Sequence, residues 1–311
     1  MPVGRRFPRQ PMFGSALALL LGLLAMTVPF STSCSRSASS ASVTSKEHAM
    51  QPSPKPVRIA FLHHSTGGIV WESGLPQFIQ SWNATHGTDY RITELPYPSA
   101  TGGHTSLRKL LPARVFNVLI KNHYPWDNQP YDYWNLWVAH QGENRDRSEL
   151  NLDDLARSYD VIVFKHCFPV SRVQPEEGAP SVSSPKQTLA NYKLQYEALK
   201  TRMRQFPQIR FILWTGPALT ESGTTPEEAE RARQFASWVK ETWDEKGDNL
   251  FLWDFRELET HGGLFLRPEN AHGPNNPHPA KTFAVQVAPL LGQRIVDVIE
   301  GRADHSSLTG R

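Results

Sequence analysis

One serine and one histidine, at opposite ends of this chain, carry its most suggestive chemistry. Ser65 lies in the run Phe61-Leu62-His63-His64-Ser65-Thr66-Gly67-Gly68, where apolar residues stop abruptly at a polar turn. His278 lies in Asn275-Asn276-Pro277-His278-Pro279, just before a long apolar-periodic segment. A serine hydroxyl is a weak nucleophile until a base within hydrogen-bond reach takes its proton. Histidine suits that task because it titrates near neutral pH. Attack on a carbonyl also needs preorganised N–H donors for the oxyanion. The Ser65 amide and a glycine amide in Ser99-Ala100-Thr101-Gly102-Gly103-His104 are the candidates, with Gly103 the better of the two glycines.

These residues need a scaffold that brings them to one edge. Val57–His63 is read as a buried strand, Tyr90–Leu95 as a second, Asp160–Phe164 as a third, and Arg210–Trp214 and Asn249–Trp253 as two more. Between them fall helical patterns at Leu75–Trp82 and at Gln187–Phe206. A further helix is opened by the capping box Thr225-Pro226-Glu227-Glu228, and a last one runs from Lys281 to Glu300. Strands separated by helices imply parallel pairing through right-handed crossovers. The expected fold class is therefore α/β, a three-layer α/β/α sandwich around a mostly parallel five-stranded sheet. In such sheets ligands bind beyond the carboxyl ends of the strands, which is where Ser65 falls.

Ser65 after the first strand, Gly103 after the second and His278 before the last helix occur in an order that resembles the SGNH/GDSL hydrolases, whose sheet is flavodoxin-like. The resemblance spans Val57 to Gly301. It implies a serine esterase that cleaves a carboxylic ester through an acyl-enzyme. Ser65 would be the nucleophile, His278 the base, and Gly103 an oxyanion donor, with His64 and Gly67 shaping the pocket. It implies no cofactor, and a small-molecule or carbohydrate ester as substrate, an O-acetyl group being within the family's range. The chain departs from the family pattern twice. No asparagine follows the third strand, where Lys165-His166-Cys167-Phe168-Pro169-Val170-Ser171 stands instead, so His166, Lys165 and Ser171 are the possible replacement donors. The aspartate of the family's Asp-x-x-His is Asn275 here. An Asp-to-Asn change in that role costs about 10⁴ in rate in serine hydrolases, so Asp254 and Glu269 are alternative groups to orient His278. An impaired binding protein on the same fold, and an O-acyltransferase, stand as competing readings.

The rest of the composition narrows the class. Of 311 residues, the first 34 read as a signal: Arg5-Arg6, an apolar run Phe13–Phe30, then Ser31-Thr32-Ser33-Cys34. Cleavage, lipid attachment through Cys34, and retention as an uncleaved membrane tether all remain open readings. Residues 35–56, rich in Ser, Ala and Pro, read as a linker to a domain at 57–303. The expected location is therefore exported, in the periplasm or cell envelope. The domain holds one cysteine, Cys167, so no disulfide can form within it. A net charge of +3 with no basic stripe gives no footing for nucleic acid. The histidines lack the spacing of a metal motif, so no metal is expected. Val115–Glu149, with Trp126, Trp134 and Trp137, reads as an insertion, a candidate lid whose indoles could stack on sugars.

Overall fold

The computed structural model describes residues 55–98, 127–142 and 149–311. The signal and linker readings, Gly103 with its neighbours, and Trp126 lie outside these residues. Five strands form one parallel sheet: β1 (Val57–His63), β2 (Tyr90–Pro96), β3 (Val161–Phe164), β4 (Arg210–Trp214) and β5 (Leu250–Trp253). Their order across the sheet is β2-β1-β3-β4-β5. The chain moves outward from β1 to β2, then returns to place β3 on β1's other side. The carboxyl ends of β1 and β3 thus flank the reversal of strand order, the place where open α/β sheets hold ligands.

Alternation along each strand builds two cores. Ala60, Leu62, Ile162, Phe164, Phe211, Leu213, Leu250 and Leu252 enter one apolar cluster. Ile59, Phe61, Val161, Val163, Ile212, Trp214 and Trp253 enter the other. Near-continuous apolar strands are what burial on both faces requires. The first cluster is closed by α5 (Leu189–Met203) and α6 (Pro226–Trp238), through residues such as Tyr192, Tyr196, Leu199, Ala232 and Phe235. The second is closed by α1 (Thr66–Glu72), α2 (Leu75–His86) and α8 (Lys281–Ile299), through Val70, Leu75, Ile79, Val287, Leu291 and Ile295.

Helix α2 runs one turn beyond its expected end at Trp82. His86 stacks on Trp82 at 3.8 Å, and Gly87 closes the helix with φ 66°, a conformation that glycine adopts without strain. The expected capping box of α6 is half formed. Thr225 accepts from the Glu228 N–H at 3.2 Å, but the Glu228 carboxylate accepts from Thr224 Oγ1 at 3.0 Å instead of reaching back. Helix α6 continues into a π-helical turn, Val239–Trp243, that buries Val239 and Trp243.

In the described part of the 115–149 insertion, Tyr133, Leu136 and Trp137 cover the core, while Tyr131 and Trp134 are half-buried. This part forms α3 (Pro130–Trp134), which continues as a π-helical turn, Asn135–Ala139. Tyr133 and Trp137 are fully buried there, and Trp137 Nε1 donates to the Tyr97 hydroxyl at 2.8 Å. Trp137 is therefore not available to stack on a sugar. A short helix α4 (Leu152–Ser158) leads into β3, capped at both groups of a capping box by Asn151 and Asp154.

Candidate active site

Ser65 follows β1 by one residue beyond His64 and precedes α1. Its backbone is at φ 54°, ψ −108°, a region costly for any residue with a Cβ, by about 1–3 kcal/mol. The turn puts the hydroxyl at the exposed carboxyl edge of the sheet. Gly67 makes this turn possible. A Cβ there would lie 2.4 Å from the His63 Cβ, so only glycine lets the first turn of α1 pass over the end of β1. Its contribution is this close approach. His63 itself is buried against Phe61 at 4.5 Å, with Nε2 on Glu94 Oε1 at 3.0 Å. Burial first, then Lys165, pushes its pKa down to about 3.

His278 reaches Ser65 from a two-stranded antiparallel hairpin, β6 (Ala271–Gly273) and β7 (Asn276–Pro279). The hairpin is tied down on two sides. Ala280 N–H donates to Asn270 O at 2.8 Å, and Asn270 Nδ2 donates to Glu259 O at 3.0 Å, on α7 (Phe255–Thr260). Lys281 Nζ donates to Ser73 Oγ at 3.1 Å and to Glu72 O at 3.2 Å, joining the start of α8 to the end of α1. Helix α1 carries Ser65 at its N-terminus, so the serine and the histidine share one clamp. Ser65 Oγ and His278 Nε2 are in hydrogen-bond contact, 213 positions apart in the chain. The rings of His278 and Phe168 pack nearly perpendicular to each other, with centroids 5.2 Å apart.

The group that orients His278 is Asn276, not Asn275. Asn276 Oδ1 accepts from His278 Nδ1 at 2.7 Å and from the His278 backbone N–H at 3.2 Å. The reason is strand geometry: residues i and i+2 share a face, so on β7 Asn276 and His278 point the same way. Asn275 falls in the hairpin turn, between the paired Gly273 and Asn276. The backbone N–H can only donate, so the atom that faces it is the amide oxygen. That atom fixes Nδ1 as the protonated nitrogen and leaves the Nε2 lone pair for the serine hydroxyl. Burial, then the charge of Lys165, then His272 hold the His278 pKa below its ordinary value. The ring is thus kept neutral, the state in which it can take a proton.

Neither carboxylate proposed as its partner is placed there. Asp254 caps α7. It accepts from Thr215 Oγ1 at 2.9 Å and Glu257 N–H at 3.2 Å, and pairs with Lys240 at 2.8 Å. As the residue after a buried strand it is committed to the β5–α7 turn. Glu269 pairs with Arg267 at 2.6 Å on the surface.

The three candidates beyond β3 part company because of strand alternation. His166 continues the Phe164 face and is buried among Tyr133, Phe164 and Tyr196. Neither of its ring nitrogens has a hydrogen-bond partner among the described residues, and burial, then Lys165, pushes its pKa down to about 3. It is a neutral core ring and not an oxyanion donor. Ser171 Oγ donates to Pro217 O. Lys165 points the other way, buried, with Nζ donating to His64 O at 3.3 Å. His64 Nε2 donates to Pro98 O at 2.7 Å and so fastens the end of β1 to the exit of β2. Its position beside that exit is a bracing one.

Asn276 is the site residue that motif reading did not single out, whereas Lys165 was one of the three candidates beyond β3 and is the one that reaches the end of β1. The signal for Asn276 was available, since Asn-Pro-His flanked by proline is an extended stretch with period-two sidedness. Among the described residues no three His, Cys, Asp or Glu side chains gather in a way that would hold a metal ion. No family model matches this sequence, and a comparison with curated proteins finds no match.

Proposed function

We propose that this chain is an exported serine hydrolase of SGNH type, with the three-layer α/β/α arrangement of that family, acting on a carboxylic ester. The observation that carries the reading is the contact between Ser65 Oγ and His278 Nε2 at the carboxyl edge of the sheet. In the proposed reaction His278 Nε2 takes the Ser65 proton as Oγ bonds to the ester carbonyl carbon. The oxyanion is held by the Ser65 amide and a glycine amide, Gly103 being the sequence candidate. The tetrahedral species collapses by expelling the alcohol, which receives the proton from His278. Water then attacks the acyl-serine with His278 again as base, releasing the acid and restoring the hydroxyl.

The substrate class that fits the resemblance is an O-acetyl ester on a carbohydrate. Acetate release from acetylated oligosaccharides, compared with Ser65→Ala and His278→Ala, tests it. Loss of release in both variants is the expected outcome. Release that both variants retain would overturn the reading. The neutral Asn276 favours one second reading, a binding protein that keeps the pocket without turnover, because an amide cannot stabilise an imidazolium as a carboxylate does. Acetate release by the wild type would remove it.

A further inference from the structure

Lys165 is a buried cation, 1% exposed, that the reaction above does not use. A buried ammonium ordinarily meets a carboxylate. Here its two acceptors among the described residues are His64 O at 3.3 Å and Cys167 Sγ at 3.4 Å. His64 O also accepts from the Gly67 N–H at 3.0 Å. The His64–Ser65 peptide is planar and trans, so its N–H points away from its oxygen. Two donors on that oxygen therefore aim the Ser65 N–H to the opposite side. They also oppose rotation of a peptide that borders a residue at φ 54°. A cation on the carbonyl oxygen polarises the same amide and strengthens its N–H as a donor.

We infer that Lys165 is a positioning residue that acts through the His64 carbonyl, holding and polarising the Ser65 amide as the oxyanion donor. This inference rests on the hydrolase reading. The surroundings of Lys165 suit such a role. His63 and His64 face it from the end of β1, His166 and Cys167 from its own segment, His278 from β7, and Glu259 from α7. His278 in turn meets Lys165 and His272 as its charged or titratable neighbours, with Ser65 and Asn276 as neutral partners. The ammonium therefore has a second effect, because it disfavours protonation of the base.

The test compares Lys165→Met and Lys165→Gln with the wild type for ester hydrolysis across pH, with thermal melting of each protein as the folding control. Methionine removes the donor and the charge, and glutamine restores a donor without the charge. In the methionine variant kcat is expected to fall about 10- to 100-fold, short of what a direct oxyanion donor costs. KM should stay within about twofold, as it does when an interaction made only in the transition state is lost. Glutamine should recover most of kcat. In both variants the acid limb of kcat/KM should move to higher pH, a change that a merely structural lysine would not produce. The glutamine variant alone carries the test if methionine impairs folding. An active wild type alongside a folded methionine variant with unchanged kcat, or a folded glutamine variant with an unmoved acid limb, would overturn this inference alone. An inactive wild type that no fluorophosphonate labels would overturn the hydrolase reading and this inference with it.

Discussion

Asn276 Oδ1 accepts two hydrogen bonds from His278, one from the ring Nδ1 and one from the backbone N–H. This relationship sets the tautomer of His278 without a carboxylate. In serine hydrolases much of the roughly 10⁴-fold loss on replacing the aspartate by asparagine comes from the wrong tautomer. Here the backbone N–H holds the amide the right way round.

Replacing Asn276 should therefore separate orientation from charge. Asn276→Ala frees the ring and should lower kcat/KM about 100-fold. Asn276→Asp keeps the orientation and adds a negative charge. It should raise kcat about 10-fold above the acid limb by stabilising the imidazolium, and raise the His278 pKa so that the limb moves to higher pH. Asn275→Ala should leave both unchanged, since that residue sits in the hairpin turn. Steady-state pH profiles of the three variants check this.

The wild-type profile has its own expectation. Because burial and Lys165 hold His278 below the ordinary histidine value, activity should persist as pH falls below about 6.5, the unperturbed value. An acid limb above that pH would contradict the assignment of the base.

Asp254 is expected to matter for stability and not for the pH profile. It is buried and holds Thr215, Glu257 and Lys240. Asp254→Ala removes a helix cap and leaves buried donors unpaired, a loss of about 3 kcal/mol. Denaturant unfolding should show the loss, with the acid limb of any remaining activity unmoved.

Glu259 makes stability depend on pH. It is fully buried, and burial pushes its pKa up to about 8. Its Oε2 accepts from the Ala218 N–H at 2.7 Å, and its Oε1 has no partner among the described residues. In the folded chain it therefore stays protonated well above its unfolded pKa. Stability from this group is full below the unfolded value, near 4.5, and is lost as pH rises through about 8. Glu259→Gln keeps the shape without the titration. The gap in unfolding free energy between the two proteins should shift in favour of the glutamine by a few kcal/mol, on the order of one for each pH unit between those values.

Gly67→Ala forces a Cβ to within 2.4 Å of the His63 Cβ. Overpacking of this kind costs about 1–3 kcal/mol. It should also displace Ser65, so the melting temperature and the labelling rate of Ser65 should fall together.

Much of the framework was legible in the residues. β1 and β4 have the predicted bounds, Val57–His63 and Arg210–Trp214, because apolar runs ending in Gly, Pro or polar turns admit few other readings. Helix α8 likewise followed from its period. The hairpin β6–β7 was not read. Its strands are only three and four residues long, too short for alternation to show, and its prolines argue against strand. Asn275 was named because it fills the aspartate position of the family's Asp-x-x-His spacing, and that spacing does not encode the sidedness of β7. His166 was misplaced for a related reason. Sidedness beyond the end of β3 decides whether His166 or Lys165 faces the site, and a spacing rule borrowed from a different loop does not encode it. Trp137 failed as a sugar platform because aromatic content alone does not distinguish a core-covering helix from an exposed surface.

The central claim is that Ser65 is a nucleophile activated by His278. Its most direct test is reaction of the folded protein with a fluorophosphonate, read by intact mass and by mapping of the modified peptide. The account predicts one adduct on the peptide that contains Ser65, absent in Ser65→Ala and formed far more slowly in His278→Ala. A folded wild-type protein that forms no adduct, or an adduct that persists in Ser65→Ala, would contradict it.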